Sequence, residues 1–130
     1  MATDILSTQA PTPRSRILRL PRALWLALGA ASMAGAIAAG GPLMIALWLA
    51  PDLAILVGLP RPFDAQGRMN SRAVAGYNAA HYLYGPSAML IGAIVIAPLL
   101  PLGLVWLCHV AVDRGLGYYP RASDGSIRDV

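Results

Sequence analysis

The chain holds two histidines, His81 and His109, and both lie near carboxylate or amide side chains at helical spacing. His109 and Asp113 are four residues apart, so on a helix they stack on one face. Tyr77 and His81 share that spacing, and Asn78 and His81 are three apart. Asp52 stands directly after Pro51 in an apolar stretch. Proline removes a backbone donor and should free the Leu47 carbonyl, kinking a helix beside Asp52; Pro86 should do the same to the Tyr82 carbonyl. Two neutral imidazoles with one or two carboxylates form a donor set suited to Zn, Mn or Fe, and such a site with an open position activates water. The expected site is a divalent metal on Asp52, His81, His109 and Asp113. Asp113 and Arg114 are the candidate catalytic groups, with Arg114 suited to hold an anionic or phosphorylated moiety. Tyr77, Asn78 and Tyr118 are expected to support the ligands or touch substrate.

The same residues have a plainer reading. Asp52 hydrogen-bonded to His81 or His109 would clamp helices together, each such contact contributing about 1 kcal/mol. Asp113 and Arg114 would then be an interfacial charge pair. Proton transfer is a further use of the same groups, and bis-histidine haem fits worst because the two histidines lie at different depths. No Gly-rich phosphate loop, CxxC or HExxH pattern is present. The lone Cys108 excludes an internal disulfide and reads as a small apolar filler, although it adjoins His109 as a soft donor.

The elements that must position these groups are apolar. Apolar residues make up 57% of the 130-residue chain and charged ones 12%, against about a quarter charged in soluble proteins. Ala23–Gly40, Leu43–Leu59, about 73–94 and about 99–115 read as membrane spans, separated by Gly41-Pro42, the polar loop 61–72 and a turn near Ala97-Pro98 to Pro101. Backbone at membrane depth must satisfy its own hydrogen bonds, so the fold class is an all-α integral membrane bundle of four transmembrane helices. Residues 1–21 read as a disordered basic tail, 22–117 as the membrane domain and 118–130 as a polar tail. The start also resembles a signal peptide, with small residues near Ala36–Ala39, but an apolar run of about 18 residues is long enough to span. A competing division makes 73–85 an interfacial helix and 87–112 one long span.

Arginine placement favours four spans. All ten basic residues are Arg, in three groups: 14, 16, 19 and 22; then 61, 68 and 72; then 114, 121 and 128. With four spans the three groups share one side and the two opposite turns carry none, which places both termini in the cytoplasm. The net charge of +4 then suits anchoring on anionic lipid rather than nucleic acid. At a rise of about 1.5 Å per residue, Asp52 and His81 lie about 12–13 Å inside the cytoplasmic ends of their helices and His109 about 7 Å inside. Three helices thus bring His and Asp into one half of the bundle. The first helix is rich in Gly and Ala, which permits close approach of another helix, within the chain or in a homo-oligomer.

Leu49-Ala-Pro-Asp52, Tyr77-Asn-Ala-Ala-His81 and Trp106-Leu-Cys-His-Val-Ala-Val-Asp-Arg-Gly-Leu-Gly-Tyr118 resemble, in order and spacing, a family of small bacterial multi-pass membrane proteins catalogued as domain of unknown function 4260. The resemblance covers roughly residues 20–119. It implies importance for Asp52, Tyr77, Asn78, His81, His109, Asp113, Arg114 and Gly117, and the same multi-pass topology, but no reaction; the expected location is the bacterial inner membrane. The chain departs from the family after the final Gly-Tyr, where it has Tyr119-Pro120, and in a longer, Arg-rich 61–72 loop. Two functions are therefore expected: a metal-dependent hydrolase on a lipid-like substrate, or a non-enzymatic membrane protein or assembly subunit whose polar residues lock helix packing.

Overall fold

The computed structural model describes residues 20–128. The tail expected before Leu20, with Arg14, Arg16 and Arg19, lies outside the described residues. The chain forms helices α1 (Arg22–Gly40) and α2 (Leu43–Leu47), a 3-10 helix (Ala50–Gly58), and helices α3 (Ser71–His81), α4 (Tyr84–Gly92) and α5 (Leu99–Leu116). Two isolated β-bridges occur, Phe63 with Met69 and Arg121 with Ile127, and the described residues contain no strand. The fold is all-α.

Pro21 precedes the first turn of α1, where a missing N–H is harmless. Gly41, at φ 76°, ends the helix in a conformation that glycine adopts without strain. Helix α1 then runs antiparallel to α5 along a seam of small residues. A Cβ on Gly29 would lie 2.9 Å from Val112, one on Gly40 2.6 Å from Pro101, and one on Gly115 2.6 Å from Leu26. The close partner expected for the Gly/Ala-rich helix is thus supplied inside the chain by α5.

The chain passes through the bundle four times. Gly40 against Pro101, and Gly92 against Leu99, place the 41–42 and 93–98 turns at one end. Gly115 against Leu26, Asn78 bonded to Arg121, and Met69 bonded to Gly125 place the start of α1, the 61–72 loop and the C-terminal segment at the other. The turn before α5 excludes one long helix over 87–112. Helices α1 and α5 are long and apolar enough to cross a membrane. The two middle passes are broken rather than continuous, the first after Leu47 and the second at Tyr82-Leu83. The stretch Leu43–Gly58 still spans about 29 Å, because a 3-10 turn rises about 2.0 Å per residue against 1.5 Å in an α-helix. Large apolar side chains face outward all round: Leu53, Ile91, Ile94 and Val95 are exposed, Val95 at 87%.

The polar end is built from side-chain–backbone bonds. Asp64 accepts from the backbone N–H groups of Arg68 and Gln66 and from Arg68 Nε, which holds its carboxyl below the usual carboxylate range. Residues 120–128, read from sequence as a plain polar tail, fold back over α3 and the 61–72 loop. Met69 N–H donates to Gly125 O at 2.9 Å, Arg121 donates to the Gly67 and Gly125 carbonyls, and Arg128 donates to the Tyr82 hydroxyl. Gly125 has φ 83°, and a Cβ there would collide with the Met69 backbone. Gly125→Ala is expected to release this strap without unfolding the helices. Limited trypsin digestion should then cut after Arg121 several-fold faster than in the wild type, with helical circular dichroism unchanged. Equal digestion rates would contradict this packing.

Candidate metal centre

The helix break at Pro51 creates half of the site. In the 3-10 register the Asp52 N–H bonds to Leu49 O at 3.1 Å, so it does not reach Trp48 O. The residue that would bond Trp48 O in that register is Pro51, which has no N–H. A second carbonyl, beyond the expected one of Leu47, is thereby left free, and His109 Nδ1 takes it at 2.8 Å across the bundle. His81 Nδ1 sits 2.8 Å from Tyr77 O, one turn back on α3. A carbonyl oxygen only accepts, so each Nδ1 carries a proton, and in the neutral ring each Nε2 then presents a lone pair.

Those two lone pairs face each other. His81 Nε2 and His109 Nε2 are 3.0 Å apart, with side chains at most 3% exposed. Asp52 Oδ1 lies 3.3 Å from His81 Nε2 and 3.6 Å from His109 Nε2. Asp113 Oδ2 lies 3.3 Å and 3.7 Å from the same two atoms. Four acceptors converge, and among the described residues no N–H or O–H is hydrogen-bonded to either carboxylate or Nε2 lone pair at this point. Asp52, His81 and His109 form a group whose ligand atoms all lie within 4.8 Å of one another. Nitrogen ligands at 2.0–2.1 Å from a tetrahedral Zn stand about 3.3 Å apart, close to the spacings found. The Nδ1–H to carbonyl pairing is the outer partner that metal-bound histidines usually have. Asp52 is the open edge, its side chain 41% exposed.

Helix α5 supplies the rest of the frame. The last carbonyls of α3 have no helical partner; Trp106 Nε1 donates to Ala80 O at 2.6 Å and Arg114 donates to His81 O at 3.1 Å. Trp106 reaches over Gly85, where any Cβ would strike its ring. Tyr77 stacks on His81 with ring centroids 3.8 Å apart, and Trp48 lies tilted against His109 at 5.5 Å. Trp106 and the Trp48 carbonyl were not singled out from sequence as site groups. The signal for the carbonyl was present in the three-residue spacing from Trp48 to Pro51.

Of the residues expected at the site, the fold brings together Asp52, His81, His109 and Asp113, with Tyr77 against His81. Arg114 is buried beside them, but it donates to the carbonyls of His81 and Tyr118 and lies over the Tyr119 ring, which makes it a brace for the helix ends. Asn78 faces away from the ligands. Its amide clamps the backbone of Arg121 in both directions, at 2.8 and 2.7 Å. The Tyr118 side chain is half exposed and only its backbone is engaged. Cys108 is buried outside the ligand group. Comparison of the chain with protein families, curated proteins and solved structures finds no match.

Pro51→Ala restores an N–H within reach of the Trp48 carbonyl. It should loosen the His109 Nδ1 bond, and nitrogen NMR of the metal-free protein should show His109 moving from one fixed tautomer to a mixture. An unchanged His109 spectrum would mean the helix break does not set the tautomer.

Proposed function

We propose that this chain is a multi-pass inner-membrane protein that binds one divalent transition metal through Asp52, His81 and His109 and hydrolyses an ester or amide bond in an amphiphilic, lipid-like substrate. The observation that carries the reading is the pair of lone-pair nitrogens 3.0 Å apart, flanked by two carboxylates. Like-facing acceptors in a desolvated site repel each other unless a cation lies between them. Three ligands leave a fourth position open, as catalytic metal sites do. When bound, the metal supplies a Lewis acid and a water of lowered pKa.

Asp113 is the general base in this reading, its Oδ2 beside both ligand nitrogens. It takes a proton from the attacking water, whose oxygen bonds to the acyl carbon. The bond to the leaving group breaks, and the proton passes from Asp113 to the departing oxygen or nitrogen. Arg114 holds the His81 carbonyl and so the position of that ligand. The apolar exterior and the shared end of the Arg-bearing segments support four membrane crossings with both termini in the cytoplasm.

Metal binding is measured by elemental analysis of detergent-purified, untagged protein beside a His81→Ala/His109→Ala double variant. The expected result is about one equivalent of Zn, Mn or Fe in the wild type and none in the variant. Absence of metal from both after reconstitution leaves the packing clamp as the function of these groups. Asp113→Asn should keep the metal and lower turnover of a long-chain ester by about 10²–10⁴-fold; retained turnover would remove Asp113 from the base role. For topology, single cysteines placed at Ser71 and Ser123 in a Cys108→Ala background should be shielded from an impermeant thiol reagent in intact cells, while one at Ala97 is labelled. Labelling of all three would refute the four-crossing arrangement.

A further inference from the structure

A cavity of about 370 Å³ lies beside the ligand cluster, lined by Leu47, Ala50, Pro51, Ala54, Met89 and Leu102 among others. Its remaining walls are Ala80, Val105 and Trp106. Each ligand-bearing element contributes a residue next to its ligand or one turn before it. Pro51 precedes Asp52 and Ala80 precedes His81, while Val105 lies one turn before His109 on the same face of α5. Leu102, Val105 or Trp106, His109 and Asp113 follow one another along that face, so on α5 the cavity wall leads up to the residues of the cluster, which do not themselves line it. From Leu102 to His109 this face covers about 10 Å of helix.

The wall is almost wholly apolar. The Trp106 indole N–H, its polar group, is already spent on the Ala80 carbonyl. Water entering would find too few partners to be held. The cavity also lies on the side of the cluster away from the polar end, since Leu102 stands near the 93–98 turn and Arg114 near the strap. A space of this kind inside an apolar belt is filled most favourably by hydrocarbon.

We propose that this cavity is an acyl-chain site serving the metal centre. A single hydrocarbon chain lies between the 3-10 helix, α4 and α5, and its polar head points at Asp52, His81 and His109. The inference rests on the metal-hydrolase reading for the role of the head, and on the cavity alone for the chain. It defines the substrate class as a single-chain or splayed-chain acyl ester or amide, with the head toward the cytoplasmic side. Ala50, Ala54 and Leu102 set how much chain is admitted.

The test uses the full protein in phosphatidylcholine vesicles doped with a palmitoyl ester that carries a photoreactive diazirine on its chain. After illumination, labelled residues are mapped by mass spectrometry and metal content is measured on the same preparation. The expected labels fall on Leu47, Met89 and Leu102, as well as on the lipid-facing Ile94 and Val95. Ala50→Trp and Leu102→Trp, which fill the cavity from two walls, should each lower labelling of Met89 several-fold while Ile94 and Val95 keep theirs. Labels confined to Ile94 and Val95, or Met89 labelling unchanged by both fillers, would overturn the chain site even where metal is bound. Cavity labelling that responds to the fillers in protein that binds no metal keeps the chain site and removes the hydrolase reading.

Discussion

Two imidazole lone pairs held against each other inside an apolar bundle form the constraint on which the rest of this structure depends. Each Nδ1 is committed to a carbonyl, so a neutral ring cannot turn its Nε2 into a donor without losing that bond. Two carboxylates flank the pair and add negative charge. A site of four acceptors is stable only with a positive species at its centre, either a metal ion or shared protons. The surrounding frame removes slack from this arrangement. Tyr77 covers one ring, Trp48 leans on the other, and Arg114 and Trp106 brace the helix end from which His81 projects.

Two broken helices make that geometry reachable. A continuous second helix would keep the Trp48 carbonyl for itself, and His109 would lose its anchor. The second break, at Tyr82-Leu83, leaves the Ala80 and His81 carbonyls without helical partners, and α5 answers with an indole and a guanidinium. Irregular backbone inside an apolar layer is tolerated where other protein groups satisfy it, and here each freed carbonyl that is satisfied points toward the cluster or its frame. The long helices α1 and α5 carry the opposite burden. Their glycine seam packs without irregularity and gives α5 a fixed line from which His109 and Asp113 project.

Much of this was legible in the amino-acid sequence because it is local. The His109–Asp113 and Tyr77–His81 spacings needed only a helix to become neighbours, and Pro51 beside Asp52 marked a break. The Arg groups marked which ends of the four passes lie together. What was not legible depends on long-range bonds. Nothing near Asn78 announces that its amide will hold the backbone of Arg121, 43 residues on, or that Arg114 will spend its charge on carbonyls. Gly125 reads as a turn residue, and its need for a bare Cα appears only when the Met69 backbone lies against it. The 3-10 form of Ala50–Gly58 was missed for a related reason. Its apolar composition suits an α-helix equally well, and the bond from His109 to the Trp48 carbonyl that accompanies the 3-10 register is made 61 residues away in sequence.

The central claim is that a metal ion resolves the opposition of the two imidazoles, and its most direct test is X-ray absorption at the metal edge of the zinc-reconstituted, untagged protein. The account predicts a first shell with two imidazole nitrogens at about 2.0–2.1 Å and carboxylate or water oxygen at about 2.0–2.2 Å, with the imidazole scattering lost in His81→Ala/His109→Ala. A first shell of oxygen alone, or one unchanged by the double substitution, would contradict it.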